Sequence, residues 1–135
     1  MKTQLIQTAV AALTLAAAGY AQSAQELKVI VPFDFVAGSR TLSAGQYTVS
    51  QPGNSVIVRS AGGAPGAVMI TNRVKSPGRQ EIGKLVFHRY GNRYFLSEVW
   101  GTDQSTGSQL PKTTQERELA QHARNELATI FVSAP

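Results

Sequence analysis

Leu27, Val29, Val31, Phe33 and Phe35 fall at every second position of one short stretch, with Lys28, Pro32 and Asp34 between them. Successive side chains of an extended strand point to opposite faces, so this spacing sets one apolar face against a core. Pro32 has no N–H to give to a ladder, which predicts an edge strand or a bulge there. The pattern recurs downstream. Leu42 to Val49 turns at Gly45 into a strand with Tyr47 and Val49 on one face, and Gln51-Pro52-Gly53-Asn54 makes a tight turn into Ser55–Arg59. Residues 61–66 read as a loop, followed by a strand from Ala67 to Val74 that Ser76-Pro77-Gly78 ends.

The clearest hairpin spans Lys84 to Trp100. Gly91-Asn92 lies between two aromatic-rich runs and predicts a two-residue primed turn. If Tyr90 opposes Arg93, then His88 faces Phe95, Phe87 faces Leu96 and Leu85 faces Glu98. Both faces of this hairpin carry apolar residues, so it is expected to be central and covered on both sides. A slip of one residue would exchange the faces.

Gly101 to Gln109 reads as a polar loop. Thr113-Thr114-Gln115-Glu116 fits a helix capping box, and Leu119, Ala120, Ala123 and Leu127 follow as an apolar stripe, with Asn125 as a stop. Thr129 to Val132 reads as a last strand returning to the sheet that holds residue 27. About seven strands and one C-terminal helix describe an all-β antiparallel sandwich, with a small β-barrel as the alternative.

The N-terminus carries an address. One lysine, an uncharged Ala/Leu-rich run from Leu5 to Ala18 and the small-residue exit Gly19-Tyr20-Ala21 form the pattern of a cleaved signal peptide. The apolar run is shorter than the roughly 20 residues a spanning helix needs. Residues 22–135 are then one domain, exported to the periplasm or beyond, with no transmembrane segment. The chain has no cysteine, so neither disulfides nor a lipidated cysteine can hold it. Losing Lys2 leaves 12 of the 13 cations against 8 acids, a net charge of +4, with a basic run from Arg73 to Arg93 opposed only by Glu81. Such a run attracts anionic polymers or simply keeps strand edges apart. No nucleic-acid motif accompanies it.

Motifs for chemistry are sparse. There is no Gly-x-Ser-x-Gly, Walker loop or dinucleotide fingerprint, and nothing that implies a cofactor. Glu118 and His122 would need a third ligand to hold a metal, so no metal site is expected. Asp34 and Glu98 resemble a glycosidase pair only if the fold brings them together. His88 supports a hydrolase only if a serine or carboxylate lies within hydrogen-bond reach. The expectation is therefore a non-enzyme. The contact surface nominated is Arg89, Tyr90, Arg93, Tyr94 and Trp100, where aromatics could stack on sugars while arginines hold acidic groups. Core packing of the same aromatics is the competing reading.

Residues 31–38 (VPFDFVAG), residues 42–49 (LSAGQYTV), residues 84–91 (KLVFHRYG) and the pieces Leu110-Pro111-Lys112 and Arg117-Glu118-Leu119 resemble a family of short, uncharacterised exported proteins from soil bacteria. The resemblance covers most of residues 22–135. It implies export and an all-β fold, and it carries no activity. The expected function is an exported, non-catalytic binding or structural module of the periplasm or cell envelope, with an anionic glycan or an envelope protein as partner. The alternatives are a barrel holding an apolar small molecule and a hydrolase centred on His88.

Overall fold

The alternating segments build two stacked sheets. A computed structural model describes residues 25–62 and 66–132; the leader expected over residues 1–21 lies outside them. The described residues form β1 (Glu26–Val31), β2 (Phe35–Ala37), β3 (Arg40–Leu42), β4 (Gly45–Ser50), β5 (Ser55–Ser60), β6 (Ala67–Ile70), β7 (Asn72–Gln80), β8 (Lys84–Tyr90), β9 (Arg93–Trp100), β10 (Gln104–Gln109), α1 (Thr114–His122) and β11 (Glu126–Phe131). One sheet has the order β1-β4-β5-β6. The other runs β11-β8-β9-β10-β7, with the β2–β3 hairpin set beside β9. The sheets do not close on each other, so the fold is the sandwich and not the barrel.

Eleven strands appear where about seven were expected. Pro32 ends β1 at the edge of its sheet, so Phe35 belongs to a separate strand in the opposite layer. The segment from Ala67 to Val74 divides at Thr71, whose N–H donates to the Asn54 carbonyl at 2.8 Å, and β6 and β7 enter different sheets. Ser76-Pro77-Gly78 does not end β7 but bulges within it. The Gln80 side chain donates to the Ser76 hydroxyl at 2.8 Å across that bulge. The polar loop expected at residues 101–109 contains strand β10, because its buried Ser108 donates to Gln51 at 2.7 Å and Gly107 fits under Trp100.

The turns behave as expected. β4 and β5 pair across Gly53, at φ +60°, and β8 and β9 pair across Gly91, at φ +65°. The β8–β9 register holds from Tyr90–Arg93 to Phe87–Leu96 and then shifts, because Ser97 is an extra, bulged residue. Leu85 therefore faces Val99 instead of Glu98. The bulge turns Val99 inward while Glu98 and Trp100 move to the outer face.

Val29, Val49, Val56, Phe87 and Val99 are fully enclosed between the sheets. Burying a side chain of this size contributes roughly 1.5–3 kcal/mol. A second, smaller cluster lies on the outer face of the larger sheet, where Leu119 and Ala123 pack on Val36, Tyr90 and Phe95. The helix covers that face and ends at His122, short of Asn125. Leu127, assigned to the helical stripe, is instead exposed on β11, since Glu126–Phe131 pair residue by residue with Arg89–Lys84. The last strand thus joins β8 and not the sheet of β1.

Candidate functional site

Beneath α1, four polar side chains meet on the outer face of the larger sheet. His88 and Tyr90 are two apart on β8 and share that face, and the β9 bulge turns Ser97 toward them. Thr113 caps the helix, its hydroxyl accepting from the Glu116 N–H at 3.2 Å. The Glu116 carboxylate does not return to the cap, as the capping box predicted. It turns into the sheet, with Oε2 at 2.7 Å from His88 Nδ1 and accepting from the Tyr90 hydroxyl at 2.8 Å. Ser97 Oγ lies 3.2 Å from His88 Nε2. In the tautomer whose Nδ1–H donates to the carboxylate, Nε2 is left to accept from the serine hydroxyl. Burial, together with the hydrogen bond and negative charge of Glu116, raises the Tyr90 hydroxyl to about 12.

Serine, imidazole and carboxylate stand here in the order of a nucleophilic triad. Access is restricted. Ser97 is 3% and Glu116 4% exposed, while the His88 side chain keeps 16% of its surface open, and the Leu110 N–H donates to the Ser97 carbonyl at 2.8 Å. The grooves lined by Met69 and Leu110, by Arg93 and His122, and by Arg40 and Ser60 include neither Ser97 nor His88. Chemically, the constellation fastens a helix to a sheet with every partner satisfied. The sequence reading missed Glu116 and Ser97. The usable signal was the pair His88/Tyr90 on a face expected to be covered, which demands a polar partner from the covering helix.

The nominated surface divides. Trp100 is 6% exposed, its indole donating to Glu98 at 2.8 Å and lying over Gly107, and Tyr90 is buried under the helix. Tyr94 is half-buried and stacked on Phe33 at 3.7 Å. Arg89 lies 5.6 Å from the Tyr94 ring, donates to the Gly91 carbonyl and sits 3.8 Å from Glu126. Arg93 lies over Phe95, with its guanidinium beside the Gln115 side-chain amide. The five residues form no single platform, because the pleat sends Tyr90 and Trp100 to one face and Tyr94 to the other. Glu118 and His122 line a shallow groove with Arg93, and no cluster of three or more metal-ligating residues occurs among the described residues. Asp34 accepts from the Ala44 N–H at 2.8 Å, shaping the turn before β4.

The opposite flank is unfinished. Among the described residues β6 is an edge of one sheet and β7 an edge of the other, and only Thr71 separates them. Val68 is 72% and Ile70 80% exposed. Beside them lies a groove of about 300 Å³ lined by Met69, Ile70, Leu110, Pro111 and Lys112. Residues 35–80, the whole of β2 to β7, contain Arg40, Arg59, Arg73, Lys75 and Arg79 and no carboxylate. Arg73, Lys75 and Arg79 project from β7 as exposed side chains. In comparisons with known proteins, no family model, curated protein or solved structure matches this chain.

Proposed function

We propose that the chain is an exported, non-catalytic β-sandwich that binds an anionic partner in the periplasm or cell envelope, through the β6–β7 flank. One observation carries this reading: exposed Arg73, Lys75 and Arg79 line a flank on which both sheets leave an edge without a further strand among the described residues. The nearest carboxylates, Glu81 and Asp103, stand only at the far end of β7. A field of one sign raises the local concentration of oppositely charged partners and speeds their capture. The test is titration of the purified protein with polygalacturonate at rising salt. Binding should weaken steeply with salt, and Lys75→Glu with Arg79→Glu should weaken it further and flatten that dependence. The parallel pair Arg89→Glu and Arg93→Glu probes the hairpin tip nominated from sequence. A loss confined to that pair would move the site there and sink the edge assignment.

A second reading has one observation in its favour, the Ser97–His88–Glu116 order. On that reading α1 would have to lift before Ser97 could meet an ester or amide. A fluorophosphonate probe decides it: labelling lost in Ser97→Ala supports a hydrolase, and no labelling of the folded protein removes it.

A further inference from the structure

Among the described residues, the outer edge of β6 differs from an ordinary protected edge in three respects. First, its main-chain groups are available. The Thr71 N–H bonds toward the β5 side, so by alternation Met69 and Ala67 also face β5, opposite Val56 and Val58. Val68 and Ile70 consequently turn their N–H and C=O groups to the open side. Second, the outward side chains at these same positions are the strongly exposed apolar pair, and the adjacent groove is roomy enough for an apolar side chain. Natural edges are usually blunted by charge or proline, and β6 carries neither. Third, cations stand at both ends. Arg59 follows Val58, the partner of Ala67. At the other end Lys112 lines the groove with Ile70, and Arg73 donates to the Gly53 carbonyl, near Ser55, the partner of Ile70. None of the three cations is in an ion pair among the described residues.

We propose that β6 accepts an extended segment of another protein as an added strand, one with alternate apolar residues flanked by carboxylates at both ends. The proposal rests on the anionic-partner reading and names the partner's class. Main-chain pairing would supply affinity, and the groove and end charges selectivity. A glycan has no peptide main chain whose N–H and C=O groups could pair in register with the edge. A second copy of this chain would bring Arg59, Arg73 and Lys112 against their own kind.

The probe is a labelled peptide, Glu-Glu-Val-Thr-Val-Glu-Glu, titrated against the full protein by fluorescence anisotropy. Its lysine counterpart and unlabelled polygalacturonate serve as comparisons. The acidic peptide should bind and the lysine peptide should not. Val68→Pro, which removes an outward N–H without breaking the β5–β6 ladder, should weaken binding about tenfold. Amide hydrogen exchange of the unsubstituted protein supplies a readout that does not depend on the variant folding: Val68 and Ile70 should be selectively slowed by peptide. Peptide binding without that protection overturns strand addition. Polygalacturonate binding without peptide binding overturns this proposal and leaves the anionic-partner reading standing. Failure of both ligands removes both. Self-association in sedimentation that Val68→Pro abolishes would make the occupant a second copy and overturn it as well.

Discussion

Two surfaces of this sandwich are finished differently. On the outer face of the larger sheet, α1 lies over Val36, Tyr90 and Phe95, and the polar groups beneath it are paired with one another. On the β6–β7 flank, edges, apolar side chains and cations all stay open. The catalytic-looking group therefore lies largely covered, while the chemically plain flank faces solvent. A serine, a histidine and a glutamate in hydrogen-bond sequence identify a site only when a substrate can reach them. The contrast predicts that substitutions under the helix cost stability, and that those on the flank cost almost none.

The largest effect belongs to Glu116→Ala. It leaves the His88 and Tyr90 donors without an acceptor and removes the tie between α1 and β8, and an unpaired buried polar group costs about 1–3 kcal/mol. With two donors affected, the loss should be about 2–4 kcal/mol in urea unfolding, with Glu116→Gln retaining part of it. A loss below about 0.5 kcal/mol, the range of ordinary surface changes, would show that the face under the helix is as tolerant as the flank. Next comes Gly107→Ala, whose methyl would lie 2.6 Å from the Trp100 indole. Overpacking of this kind costs about 1–3 kcal/mol. Tryptophan emission should shift to the red as the ring is displaced from Gly107.

A smaller effect separates the regions by pH. The native Tyr90 phenol holds its proton to about 12, whereas the unfolded side chain releases it near 10.0. Above 10.0 the unfolded state binds fewer protons than the native one, so stability is intact below that pH and falls as pH rises toward 12. Tyr47, raised chiefly by burial and then by the charge of Asp34, acts in the same direction. Tyr90→Phe should lower stability at neutral pH by about 1 kcal/mol, through the lost hydrogen bond, and make the alkaline decline shallower. An alkaline limb as steep in Tyr90→Phe as in the parent would detach Tyr90 from the network.

What was legible in the sequence follows from which interactions are local. Alternation, Gly53 and Gly91 act within a few residues, and they announced the sandwich and its two tight hairpins. Ser97 was illegible because a bulge inserts one residue without a turn signal and inverts the faces of everything beyond it. β10 was hidden because Gln104–Gln109 owes its strand to Gln51, Trp100 and β7, all distant in the chain. Glu116 carried two compatible local meanings, cap and core partner, and only the arrival of His88 and Tyr90 selects between them. The carboxylate-free stretch of residues 35–80 was readable throughout. Its significance emerged once topology put β6 and β7 on one open side.

The smallest stability effect is expected at Ile70→Thr, and there a small value is informative. Ile70 is 80% exposed, so trimming it leaves no cavity and exposes no buried polar group. Threonine keeps the branched Cβ that suits a strand, and stability should stay within about 0.5 kcal/mol of the parent. An apolar residue left on an edge without contributing to the fold invites unwanted pairing, so Ile70→Thr should also slow aggregation on heating. If unfolding measurements instead gave a loss of 2 kcal/mol or more, roughly that of a buried aliphatic side chain, Ile70 would be holding the sandwich together. The flank would then belong to the fold, and the division between a covered face and an open one would disappear.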